Sequence, residues 1–290
     1  MATASNVHLT VNEKPVYYRS GLTKDLAKKA SDLLQTNHDR YHIFFNSSGF
    51  HNHIAHQTLS LYALNASKEN LQKAYDANVS YQRNPSPVQQ SILEELEDPA
   101  KFVTYLGPEK YYNDFLAFFT NKIDQIGWQE TLQNYVFAGD EQAETMLVRM
   151  FAGFLHPIIH LGFGVEFQQP AIIAEALAQA ACHDEWIGKL LLPAEQAAAD
   201  DTSNKSIAEL LDEIHADKEL SNAPRWSDGN KVRDGIIARA GDRMVKIAAQ
   251  VHVKPDELER KTAEMTNAVC LYTSGAQHPP NKVMFDFYYM

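Results

Sequence analysis

Residues Phe151 to Phe167, FAGFLHPIIHLGFGVEF, are almost wholly apolar yet carry two histidines, His156 and His160, and one carboxylate, Glu166. Read as a helix continuing from Asp140, the run sets these histidines four residues apart on one face, near enough for both rings to converge on one ion or ligand. Pro157 works against an unbroken helix, because it removes one hydrogen bond and its ring meets the carbonyl four residues back, at Gly153. A bend or break is expected here, with glycine the residue that has most room to adjust.

A second apolar stretch, HNHIAHQTLSLY at 51 to 62, places His53 and His56 three residues apart, again on one helical face, with Leu59 and Leu64 expected to continue toward the core. Of twelve histidines, five (His51, His53, His56, His156 and His160) fall in these two segments. His183 and His278 occupy other mostly apolar neighbourhoods. A single core histidine is ordinarily satisfied by a neighbouring carbonyl. Several together are harder to explain, since each buried imidazole left unpaired costs about 1 to 3 kcal/mol. A metal or a shared ligand would account for all of them at once. The nearby carboxylates are few, namely Glu166, Asp184 and Glu175. A histidine-dominated set suits Fe(II), Zn or Cu over Mg or Ca, and iron with O2 is the leading expectation.

The remainder of the chain reads as helices. Thr23 caps a surface helix with Leu22, Leu26, Ala30, Leu33 and Leu34 on one side. Ser67 opens another through Leu71, Ala74, Tyr75 and Asn78, and Gly107-Pro108 and Gly127 punctuate several more. A short strand is expected at Val7 to Val11. Tyr111, Tyr112, Phe115, Phe118 and Phe119 share a helical side that reads as core, with a substrate-facing wall as the alternative. Pro170 begins an alanine-rich helix through IIAEALAQAACHDEW, on which Glu175, Gln179 and His183 form a polar stripe that either faces solvent or lines a cavity. Helices are also expected over Asn230 to Gln250 and Asp256 to Ser274, and residues 199 to 228 read as a linker or surface excursion. The expectation is an all-α fold, one large multi-helix domain over 1–290 with histidine-bearing helices around a central pocket.

Charge and motifs narrow the function. A net charge of −11 with no basic cluster argues against nucleic acid. No apolar run is long enough to span a bilayer and no signal sequence opens the chain, so a cytoplasmic protein is expected. Cys182 and Cys270 suggest neither a disulfide framework nor a zinc site. Gly162-Phe163-Gly164 lacks the third glycine of a dinucleotide fingerprint, and HPIIH has Pro157 where a zincin carries its glutamate. His215-Ala216-Asp217 lies on a charged amphipathic segment and reads as surface. His183-Asp184 leaves open a metal-dependent phosphohydrolase of the HD type, although such sites need several Asp ligands and basic groups for phosphate.

HNHIAHQTLSLYALNAS at 51 to 67, AYDAN at 74 to 78, HPIIHLGFGVEF at 156 to 167 and the QHPP segment leading into FDFYYM together resemble the questin oxidase-like family. The resemblance implies oxidative, Baeyer-Villiger-like ring cleavage of an anthraquinone-type polyketide with O2. It admits either a histidine-ligated non-haem iron oxygenase or an NADPH-linked, flavin-free oxidase; the absence of a dinucleotide motif favours iron. His56 and His160 are then the first candidate ligands, His53 and His156 the next, and His278 a distant contributor. Glu166 or Asp184 is expected to orient a ligand or accept a proton, and Tyr62 and Phe163 to meet the substrate. Family members continue past the FDFYYM segment, so further ligands are expected beyond residue 290.

Overall fold

The computed structural model describes residues 1–203 and 205–275, and those residues form helices and connecting segments with no strand. The all-α expectation holds. The chain divides into two compact units, Met1–Glu185 and Trp186–Met290.

The first unit holds α1 (Lys24–Arg40), α2 (Ile54–Ala63), α3 (Lys68–Val79), α4 (Gln90–Glu95), α5 (Pro99–Tyr105), α6 (Tyr112–Ile126), α7 (Trp128–Leu132), α8 (Glu141–Met150), α9 (His156–Glu166) and α10 (Pro170–Ala181). Local chemistry sets the starts. Thr23 and Ser67 accept the backbone N–H three residues on, and Asp140 does the same for α8, so each satisfies a donor the first turn leaves free. α10 is the spine of the unit. Every residue from Ala171 to Ala181 is buried, which is possible because most are alanines that let neighbouring helices approach closely. Ile173, Ala174 and Leu177 join the core of Phe102, Phe115, Phe118 and Phe119. Ala171 and Ile172 join the core shared by α1, α2 and α3. The aromatic side of α6 is thus core, as its helical spacing indicates.

Against α10 lies α9, and the approach is tightest at Gly164, where a Cβ would sit 2.7 Å from Ile173 Cγ1. The expected break occurs, but upstream of the proline: Gly153, Phe154 and Leu155 all take positive φ, and Pro157 occupies the first turn of α9, where its missing N–H costs nothing. α8 and the segment Gly153–Glu166 consequently meet at 69°. No single helix among the described residues is long and apolar enough to cross a membrane.

Three local expectations are corrected. Val7 to Val11 is irregular and pairs with no strand among the described residues; side chains take the place of a ladder, with Val7 N–H donating to Gln35, His8 N–H to Gln169 and Leu9 N–H to Ser31. Leu64, expected to point toward the core, is 58% exposed because α2 ends at Ala63. The alanine-rich helix stops at Ala181, so His183 lies in the loop beyond it.

The second unit contains α11 (Gly188–Ala198), α12 (Ile207–Ala216), α13 (Lys218–Ser221), α14 (Ala238–Ala248) and α15 (Leu258–Gly275). The segment read as an excursion carries α12, which Ser206 and Glu209 start with a reciprocal capping box. His215 is exposed on it. The helix expected from Asn230 opens as a wide π-helical stretch, Lys231–Ile237, before α14. Leu220, Ala223 and Ala240 form a small separate core.

Candidate functional site

The end of α1 and the segment before α2 are joined by one amide pair. Asn52 donates to Asn37 Oδ1 at 2.8 Å and accepts the N–H of Ile54, which starts α2. Asn52 is buried between His51 and His53, so fixing it fixes both. His53 is the residue preceding the first turn of α2, and His56 lies within that turn. Across from them, the bend before α9 delivers His156 and, one turn on, His160.

The rings meet in pairs. His53 Nε2 lies 2.8 Å from His156 Nε2, His56 Nε2 lies 2.9 Å from His160 Nδ1, and His51 Nε2 lies 2.9 Å from His183 Nε2. His51 stacks on His156 with centroids 4.0 Å apart and planes 12° from parallel, and His53 meets His56 at 5.6 Å, which together join the pairs into one six-imidazole cluster. Phe44 closes one side, edge-on to His183. Phe163 stacks on His56 at 5.1 Å.

Two of the rings are anchored from behind. His156 Nδ1 donates to the carbonyl of Gly153 at 2.7 Å, and His160 Nε2 donates to Glu175 Oε2 at 2.7 Å. A neutral imidazole carries one N–H, and where the anchor takes it the opposite nitrogen presents a lone pair to the cluster. Glu175 is itself held by His38, whose Nδ1 donates to Oε1 at 2.6 Å. Gly153 has a second function in the cluster: a Cβ there would fall 2.5 Å from Cε1 of His183.

Electrostatics follow from burial. Removal from water disfavours imidazolium, and the neighbouring rings add repulsion, so His51, His53 and His56 are held below the ordinary histidine range. Burial likewise takes His156 and His183 to about 4. Glu175 shows the opposite balance. Burial pushes its carboxyl up, but the hydrogen bonds from His160 and His38 outweigh that and bring it to about 2. For His38, burial pulls down, and the hydrogen bond and charge of Glu175 leave it raised.

The structure brings together His53, His56, His156 and His160, and it adds His51 and His183. Glu166 accepts from the backbone N–H of Val16 and makes no hydrogen bond to an imidazole among the described residues. Asp184 is exposed in the loop after α10. Tyr62 is fully buried in the core of α1, α2 and α3, its hydroxyl donating to the Thr10 carbonyl. His278 lies outside the described residues. Sequence reasoning missed His38, which sits in the last turn of a helix that reads as surface. It named Glu175 without finding its role. The available signal was the polar stripe of α10: Glu175 and Gln179 are 4% and 0% exposed, too deep for a solvent face.

As donors the four imidazoles of α2 and α9 suit a first-row metal, because His156 and His160 have their distal nitrogens tethered in the way metal-binding histidines do. The nitrogens face one another in twos, and among the described residues no three His, Cys, Asp or Glu side chains form a group able to hold an ion. The fit is therefore one of donor chemistry.

A family model described as Questin oxidase-like matches residues 50–290. The chain is 40% identical to a Baeyer-Villiger monooxygenase of Cryptosporiopsis over 99% of its own length and 66% of that protein's. It is 42% identical to a Baeyer-Villiger oxidase of Pestalotiopsis fici, covering 92% of this chain and 61% of the relative. It is 35% identical to questin oxidase of Aspergillus terreus, covering all of this chain and 66% of the relative. The chain thus spans 59% to 67% of the length of the curated relatives it matches.

Proposed function

The chain belongs to the questin oxidase-like family, and from that premise we propose that it serves O2-dependent, Baeyer-Villiger-type ring cleavage of an anthraquinone-type polyketide at the histidine cluster. The observation that carries this reading is the pairing of His53 with His156 and His56 with His160, with the second member of each pair anchored through its distal nitrogen. Such anchoring makes sense where a lone pair has to be aimed.

Fe(II) is the cofactor we assign, on the donor chemistry of four imidazoles, and His53, His56, His156 and His160 would hold it. Bound iron supplies the electrons that spin-paired organic substrates cannot readily pass to O2. The chain's own residues perform the rest. Burial holds His53, His56 and His156 below the ordinary histidine range, which favours the neutral rings whose lone pairs a metal would take. Phe163, stacked on His56, offers a flat apolar face to a planar aromatic substrate. Insertion of one oxygen atom with reduction of the other to water needs two electrons, for which NADPH is the expected donor; insertion of both atoms needs none. An HD-type phosphohydrolase is disfavoured because His183 pairs with His51 while Asp184 is exposed.

The test uses protein expressed from its complete reading frame and purified without oxygen. Metal content is measured by mass spectrometry, and anthraquinone turnover is followed under 18O2 with and without NADPH. Near-stoichiometric iron, lost in His160→Ala, with label in the opened product, is the expected result. Turnover with no bound metal would remove iron from the reading, and failure to open any anthraquinone would remove the reading itself.

A further inference from the structure

The cluster's two α9 histidines are anchored at opposite nitrogens. His156 is tethered through Nδ1 to a backbone carbonyl, which cannot swing away. His160 is tethered through Nε2 to the side chain of Glu175, which has three rotatable bonds and no fixed direction of its own. A tether that sets a tautomer has to be held in turn. The carboxylate has two oxygens, and each meets one imidazole: Oε2 faces His160, and Oε1 faces His38 at 2.6 Å. No other hydrogen bond to the Glu175 carboxylate is made within the described residues, so His38 is the one hydrogen-bonding group there that holds it from the side away from His160.

His38 is well placed for that work. It follows Asn37, whose side chain ties α1 to Asn52 and hence to the segment carrying His51 and His53. The last turn of α1 therefore grips both sides of the cluster with adjacent residues, one directly and one through Glu175. The His38 side chain is 10% exposed and that of Glu175 5%, so water does not compete freely for either oxygen.

We propose that His38 is a positioning residue: through Glu175 it holds His160 in the Nε2–H tautomer, so that Nδ1 is the nitrogen presented to His56. The inference deepens the proposed function and rests on it only where metal is concerned. The tautomer is a property of the chain itself.

The closing experiment separates the two. Histidine-15N-labelled protein from the complete reading frame, metal-free and at neutral pH, is studied by long-range proton–nitrogen correlation, with the His160 signals assigned from their loss in His160→Gln. Wild type is expected to show His160 with a protonated Nε2 and a bare Nδ1. His38→Leu should give a mixed tautomer at His160, whereas His38→Gln, whose amide N–H can donate to the same oxygen, should restore the wild-type pattern. In parallel, Co(II) titration followed by visible absorption should show affinity weakened about 10- to 100-fold in His38→Leu and largely recovered in His38→Gln. An unchanged His160 tautomer in His38→Leu overturns the inference. If wild type takes up no Co(II), the metal reading falls and the tautomer alone decides. Should His38→Leu fail to melt cooperatively, His38→Met supplies the comparison: an unaltered His160 pattern there overturns the inference equally.

Discussion

His160 and Glu175, fifteen residues apart on adjoining helices, form a 2.7 Å hydrogen bond in which the carboxylate selects the imidazole nitrogen that faces His56. Neither partner is more than 5% exposed at its side chain. A buried carboxylate of this kind persists only because two imidazole N–H groups answer its two oxygens.

Glu175→Ala should therefore destabilise the protein. It leaves the facing N–H groups of His38 and His160 without an acceptor, and each buried donor so stranded costs about 1 to 3 kcal/mol. Urea unfolding is expected to show a loss on the order of 3 kcal/mol, with a smaller loss for Glu175→Gln, whose single carbonyl oxygen can still serve one of the two rings. Wild-type stability in Glu175→Ala would mean the pair is not buried as described.

Packing between α9 and α10 makes an internal comparison possible. Gly164→Ala places a methyl 2.7 Å from Ile173 Cγ1 and 2.9 Å from its backbone nitrogen, and the latter cannot yield without moving the helix. The expected cost is about 1 to 3 kcal/mol. Gly162 lies two residues away on the same helix with nothing within 4 Å of its Cβ position, so Gly162→Ala should be neutral or stabilising by up to about 1 kcal/mol. Thermal melts of both variants check the contrast.

Gly153→Ala should act on the cluster as well as on the backbone. Its φ of +54° lies in the left-handed region, and a Cβ there would meet the His183 ring at 2.5 Å. The conformational term alone is about 1 to 2 kcal/mol. Displacement of His183 should also break its contact with His51, visible as a change in the nitrogen chemical shifts of both rings. A variant that melts like wild type with both rings unperturbed would contradict the arrangement.

The metal-free protein should lose stability on mild acidification. Burial holds His42, His156 and His183 at about 4 in the folded state, against an ordinary 6.5. Below 6.5 the unfolded chain takes up protons at these sites that the folded chain refuses, so unfolding becomes progressively easier until the pH reaches about 4. Depressed Glu175 extends the loss from 4.5 toward 2. His38, raised by Glu175, acts in the other sense: its contribution is present below 6.5 and disappears as the pH rises through its folded value. Chemical unfolding at pH 7.5, 6, 5 and 4 should give a monotonic fall on the order of several kcal/mol. A flat profile would show that the imidazoles protonate without penalty.

Much of the fold was present in the pattern of residues along the chain. The 3.6-residue periodicity of α1, α3 and α6, the caps Thr23 and Ser67, and the prolines at the starts of α9 and α10 act over one or two turns, and each element forms where those signals stand. The two histidine motifs were legible for the same reason, since spacings of three and four residues fix a shared face before any packing is known.

What the sequence could not hold was the meeting of distant segments. The pairing of His53 with His156 and His56 with His160 spans 103 and 104 residues, and no local rule decides whether two such faces oppose each other. His38 reads as the polar end of a surface helix until the packing of α1 sets its ring against Glu175. Glu166, by contrast, sits in the motif itself, yet the course of α9 carries it to Val16. Local energetics chose the helices, the residues each one offers and the bend whose Gly153 carbonyl takes His156 Nδ1; only the packing of α1 and α9 against the alanine-rich α10 set His38 and His160 on the two oxygens of Glu175 and so decided which nitrogen His160 turns to its partner, because those contacts join residues more than a hundred positions apart to a carboxylate that no local rule buries.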